Sequence, residues 1–188
     1  MFDRDALAQL IRNHALQFGD FTLASGKKAS YYLDCRQVTL NAKGAKLIGE
    51  GMIDLIGDLA MKMGQGPKLV GGMAIGADPI TAAILTTAGA RGYNLRGVMV
   101  RKEPKGHGKG KQVEGPYESG DTIVIVEDVV TTGGSSLKAI ELCEAEGLKV
   151  QRVLAIVDRL EGGREAFAER GYELTSLFTV EDFGVKVS

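Results

Sequence analysis

With 188 residues, 44% of them hydrophobic and 25% charged, the chain is long enough to bury one substantial core and short of a comfortable two. Its 24 Asp and Glu nearly balance 23 Lys and Arg, which argues against nucleic acid or a membrane surface as partner and leaves any attraction for anions to local basic clusters. No apolar stretch approaches the ~20 residues of a spanning helix, and Met1-Phe2-Asp3-Arg4-Asp5 lacks the basic region and apolar run of a secretory leader. Cys35 and Cys143 stand far apart, outside any metal-ligand spacing, and read as buried or half-buried thiols of a reducing compartment. The expectation is a cytoplasmic soluble protein.

In chain order, Asp3 is a fair N-cap for a helix through Leu7, Leu10 and Ile11 to about Leu16. Residues 21–38 are aromatic and β-branched in places, with Ser25-Gly26 marking a turn, and predict short strands. Ile48, Met52, Leu55, Ile56, Leu59 and Met63 recur at helical spacing. Then the pattern alternates: a strand over 68–72, a helix over 79–90, a strand over 95–100, and a β-branched strand over 122–126. A helix over 134–146 stopped by Gly147, a strand over 150–157, a short helix over 164–169 and a strand over 175–179 complete the chain. Continuous apolar strands separated by amphipathic helices predict an α/β fold, a mainly parallel central sheet with helices on both faces. Ligands of such sheets bind beyond the C-terminal strand ends. The one long connection, about residues 101–121, is rich in Gly, Lys and Glu, and a loop of that length in a compact domain is functional or disordered.

The run Ile123-Val124-Ile125-Val126-Glu127-Asp128-Val129-Val130-Thr131-Thr132-Gly133-Gly134-Ser135-Ser136 carries the strongest chemical signal. A buried strand delivers two adjacent carboxylates to the sheet edge, and a Thr/Gly/Ser turn then opens a helix. Amides at such a turn and at a helix N-terminus attract anions. The carboxylates accept hydrogen bonds from hydroxyls or coordinate hard cations. Helix capping alone needs neither two acids nor six consecutive Thr, Gly and Ser residues. The run has no Gly-Lys-Ser/Thr and no dinucleotide fingerprint. It resembles the 5-phosphoribosyl-1-pyrophosphate (PRPP) motif of type I phosphoribosyltransferases. The resemblance implies that Glu127 and Asp128 meet the ribose hydroxyls, with Val129 and Val130 leading into a 5-phosphate turn of Thr131, Thr132, Gly133, Gly134 and Ser135.

Three further segments bear on the acceptor. Arg101-Lys102-Glu103-Pro104-Lys105-Gly106-His107-Gly108 opens the long loop directly after a strand. Cationic side chains on a glycine-rich flap can offset the charge of a departing pyrophosphate and exclude water, whereas a lone Lys-rich stretch would read as a solvated loop. Its order and spacing resemble the catalytic loop of orotate phosphoribosyltransferases, which implies PRPP contacts for Arg101, Lys102, Lys105 and His107. Catalytic roles are implied for Lys102, Lys105 and His107, with Asp128. Residues 21–34 resemble the base-covering N-terminal segment of the same enzymes, implying that Lys27, Tyr31 and Tyr32 stand near orotate; taken alone they would read as a hairpin with core aromatics. Val157-Asp158-Arg159 places a guanidinium, the bidentate partner of a carboxylate, at a strand end. The resemblance puts Arg159, with Thr131, on orotate; the alternative is a local ion pair with Asp158 or Glu161. Gly71-Gly72-Met73-Ala74-Ile75-Gly76-Ala77-Asp78 resembles the family's pyrophosphate loop, the alternative being a turn packed tightly into a helix. Some orotate enzymes carry Lys where this chain has Ala24 and Ile75, so those two contacts are not carried over.

The resemblance implies a type I phosphoribosyltransferase fold in one domain over 1–188, with an N-terminal hood at about 1–40, a PRPP-binding core at about 65–160 and a long flexible catalytic loop. It further implies transfer of phosphoribosyl from PRPP to orotate, Mg2+ held mainly by PRPP, and a homodimer whose loop reaches the neighbouring site. A transferase for another base, or a non-catalytic PRPP- or nucleotide-sensing module, stands as the alternative, and the four basic flap residues argue against the sensing module.

Overall fold

A computed structural model describes residues 2–22, 28–104 and 111–187. Helix α1 (Arg4–Leu10) starts where expected, its Asp3 carboxylate accepting the Ala6 amide at 2.9 Å. It ends sooner than expected. Ile11–Ala15 widens into a π-helical turn, and Leu16 is already extended because it pairs with Leu33 in a hairpin of β1 (Leu16–Thr22) and β2 (Lys28–Leu33). The short α2 (Arg36–Thr39) leads to α3 (Ala42–Met63), which begins before its apolar stripe because Asn41 caps it, accepting the amides of Lys43 and Gly44.

The alternating part contains β3 (Leu69–Met73), α4 (Ala77–Ala90), β4 (Arg96–Val100), β5 (Val113–Glu114), β6 (Thr122–Val130), α5 (Gly134–Ala145), β7 (Lys149–Asp158), α6 (Gly163–Glu169) and β8 (Leu174–Thr179). The sheet order is β5-β4-β3-β6-β7-β8, parallel throughout except where β5 runs antiparallel to β4. The predicted mainly parallel sheet is therefore present. Two details differ. The long connection contains the two-residue β5, and β6 runs past Val126 to Val130, so both acids belong to the strand and Glu127 pairs with Ala155 of β7.

Each strand of the centre is buried on both faces. In β6, Val124 and Val126 enter a core shared with α1, α3 and α4, while Ile123 and Ile125 enter a second core shared with α5 and α6. The connection from β3 leads to β4 on one side and that from β6 leads to β7 on the other, so the sheet's switch point lies between β3 and β6.

Candidate active site

At the switch point the C-terminal ends of β3 and β6 frame two adjoining hollows. One, of about 390 Å³, is lined by Tyr32 to Asp34, Arg36, Met73 to Gly76, Glu127 to Val129 and Ser135. The other, of about 360 Å³, is bounded by Glu127 to Ser136 alone. Larger hollows of about 740 and 610 Å³ lie along α3 and α4, but they are mainly apolar and remote from the strand ends. The convergence of charged groups, phosphate-type turns and a switch point selects the smaller pair.

Glu127 and Asp128 both line the two hollows and have different fixed partners. Glu127, 7% exposed, turns toward α5 and accepts a hydrogen bond from the Ser136 hydroxyl at 2.8 Å. Burial pushes its carboxyl up to about 7; the Ser136 bond opposes the shift and the Asp128 charge adds to it. The Asp128 Oδ1 accepts the Val129 amide at 2.8 Å. A Cβ added at Gly76 would stand 3.1 Å from that oxygen, so the β3–α4 turn approaches the acid closely because residue 76 has no side chain. The turn is shorter than the glycine run suggested. Gly71 to Met73 lie in β3 and Ala77 in α4, leaving Ala74 to Gly76 as the loop.

After β6, Thr131 to Ser135 wrap the start of α5. Gly133 has φ +79°, and its carbonyl accepts the Leu137 amide at 2.9 Å. A Cβ there would lie 2.9 Å from the buried Phe167 ring, so the turn requires glycine for both conformation and space.

Arg159 follows β7 beside this turn, its amide donating to the Val130 carbonyl at 2.9 Å. Its Nε donates to the Tyr31 hydroxyl at 2.8 Å, its guanidinium lies 4.7 Å from that ring's centroid, and Nη2 pairs with Glu161 at 2.7 Å. The local ion pair named as the alternative is thus present, and its acid is Glu161. The fully buried Asp158 instead accepts the Leu160 amide and pairs with Arg164, both at 2.9 Å. Leu160 takes φ +57°. Tyr31 and Tyr32, expected together, point to opposite faces of β2: Tyr31 is buried against Arg159, whereas Tyr32 stands on the cleft wall.

At the stem of the long loop, the Arg101 amide donates to the Gln112 carbonyl at 2.7 Å. The Gln112 side chain donates to the carbonyls of Arg101 and Lys102 at 3.1 and 3.2 Å, and Arg101 pairs with Glu114 at 2.5 Å. Lys102 is exposed. Lys27, Lys105 and His107, expected at the site, lie outside the described residues, as does Ala24. Ser136, Gln112, Asp34 and Arg36 were not singled out from sequence. Only Ser136 carried a usable signal, its place one residue past the motif. Arg36 pairs with Asp34 through Nε at 2.7 Å and Nη2 at 3.1 Å.

No helix among the described residues is long and apolar enough to cross a membrane. Residues 50–179 match the family model for the phosphoribosyl transferase domain. The chain is 61% identical to the orotate phosphoribosyltransferase of Rhodopirellula baltica over 98% of this chain and 95% of that protein. The orotate phosphoribosyltransferase of Mycobacterium tuberculosis, solved with Fe(III) dicitrate, superposes with a TM-score of 0.84 at 36% identity, covering 97% of this chain and 99% of that one. The same enzyme solved with PRPP superposes with a TM-score of 0.79 at 32% identity, with the same two coverages. A PRPP-type strand and turn at the switch point, an arginine at the next strand end and likeness over nearly the whole chain agree, and the chain belongs to the orotate phosphoribosyltransferase family.

Proposed function

We propose that this protein transfers the 5-phosphoribosyl group of PRPP to orotate, releasing pyrophosphate and forming orotidine 5′-monophosphate for pyrimidine nucleotide synthesis. The observation that carries this reading is the junction of the two hollows: Glu127 and Asp128 stand between a phosphate-type turn and the β3–α4 loop. The turn Thr131 to Ser135 holds the 5-phosphate through amides and hydroxyls. Glu127 and Asp128 accept hydrogen bonds from the ribose diol.

As the C1–oxygen bond breaks, positive charge develops on the ribose and negative charge on pyrophosphate. Asp128 stabilises the first, and Lys102, Lys105 and His107 the second. Orotate N1 then attacks C1. Arg159, held by Tyr31, takes the orotate carboxylate in place of Glu161, and Thr131, Tyr32 and Lys27 complete the base's surroundings. Among the described residues no group of three or more Asp, Glu, His or Cys side chains is placed to hold Mg2+ by itself. We assign the ion mainly to the PRPP phosphates, where it would neutralise diphosphate charge and improve the leaving group.

The whole chain is read as one domain, residues 1–40 as the hood and 65–160 as the PRPP core. It is placed in the cytoplasm, in keeping with the two buried free thiols Cys35 and Cys143. It is further read as a homodimer in which one subunit's loop serves its neighbour.

The test is to offer PRPP and Mg2+ with orotate, uracil, hypoxanthine or adenine separately and follow pyrophosphate release. Release with orotate alone is expected, and Arg159→Ala should abolish most of it. Release with a different base would transfer the proposal to that base, and PRPP binding without release in any mixture would overturn catalysis.

A further inference from the structure

In the cleft that faces the β3–α4 loop, the described lining carries three carboxylates, Asp34, Glu127 and Asp128, and a single cation, Arg36. The occupant proposed above is a polyanion, so within the described lining Arg36 is the side chain whose charge suits it, beside the loop cations already assigned. Position agrees with charge. The 360 Å³ hollow around Thr131 to Ser135 shares Glu127, Asp128, Val129 and Ser135 with the cleft. A donor whose 5-phosphate fills that hollow and whose diol lies over the two acids must extend its other end, the C1 diphosphate, into the cleft. The walls there are the Ala74 to Gly76 turn and Arg36. Of the lining side chains on that turn, Ile75 is 79% exposed and offers no charge.

Arg36 is also held ready. Asp34 grips Nε at 2.7 Å and Nη2 at 3.1 Å, and the same carboxylate accepts the Arg36 amide at 3.1 Å and the Gln37 side chain at 3.4 Å. Two of the five guanidinium N–H groups are thereby engaged, leaving the others for oxygens of a ligand. The side chain remains 56% exposed. Because its orientation is fixed before binding, little rotamer freedom is lost when an anion arrives.

We propose that Arg36 is a binding residue for the diphosphate of PRPP and for product pyrophosphate, the fixed cation opposite the β3–α4 turn. The proposal rests on the PRPP reading above and adds a residue to it. A purely structural Arg36, closing the cap of α2, would affect every ligand of the cleft alike.

Calorimetric titration of the full-length protein with PRPP, with inorganic pyrophosphate plus Mg2+, and with ribose 5-phosphate separates these cases. Arg36→Gln is expected to weaken PRPP and pyrophosphate about tenfold while leaving ribose 5-phosphate within about twofold. Arg36→Lys, which keeps the charge but not the fork, should fall between wild type and Arg36→Gln, and it supplies the comparison if the glutamine variant folds poorly. Unchanged pyrophosphate affinity, or an equal loss for ribose 5-phosphate, would overturn the role of Arg36. Failure of the wild-type protein to bind PRPP would instead overturn the functional reading itself.

Discussion

Glu127 is an acid whose chemistry depends on a neighbour. Burial pushes its carboxyl up to about 7, and the Ser136 hydroxyl opposes that shift. An unfolded glutamate starts from 4.5, so between there and about 7 the unfolded chain ionises while the folded one keeps its proton. This group therefore lowers folding stability as pH rises through that window, and acidification restores it. Function runs the opposite way, because the charged form is the better acceptor for ribose hydroxyls and kcat/KM for PRPP should rise through about pH 7. Ser136→Ala removes a hydrogen bond to the charged form, worth roughly 1.5–3 kcal/mol in general, and should move that midpoint upward by roughly one to two pH units. Comparing the two pH profiles cancels the titration of PRPP itself; coincident midpoints would show that Ser136 does not govern Glu127. The adjacent acids were legible in sequence because no common local motif needs both. The pairings Ser136–Glu127 and Arg36–Asp34 depended on strand register and on the turn after β2.

Among the elements, β6 and α5 with the turn between them bear the chemistry. Gly133 has no room for a side chain: its φ is +79° and a Cβ would meet Phe167 at 2.9 Å. Gly133→Ala should destabilise the fold by roughly 1–3 kcal/mol, combining left-handed backbone cost with overpacking against a buried ring. PRPP KM should rise with it, since the displaced turn is the one assigned to the 5-phosphate. Urea denaturation gives the first quantity and initial rates the second. Adding Phe167→Leu should recover part of the KM change if crowding by the ring is the cause, and no recovery would assign the loss to backbone strain alone. The strands were legible where β-branched residues run together, as in β6. Its end was misjudged because Glu127 and Asp128 look like loop residues in sequence, while their backbones still pair with β7 or continue its line. The two-residue β5 left no pattern of its own and exists because Met99 and Val100 offer it an edge.

At the scale of the whole molecule, alternation of strands and helices foretold a parallel sheet, but not the order that puts β3 beside β6 and so creates the switch point. That order arises from long-range packing, with α3 and α4 covering one face and α5 and α6 the other. Whether one chain completes a site alone is a question at the same scale. The loop stem is anchored by β5, Gln112 and the Arg101–Glu114 pair, at the edge of the sheet away from β7 and the Arg159 that follows it. If one subunit's loop serves its neighbour's cleft, then Arg159→Ala and Lys105→Ala lie in different chains of each working site. Each variant alone should be nearly inactive. Co-expressed in equal amounts, they should assemble hybrid dimers in which one site carries both lesions and the other carries none, giving back at most about a quarter of wild-type turnover. A loop that folded over its own cleft would place one lesion in each hybrid site, and the mixture would then be no more active than the separate variants.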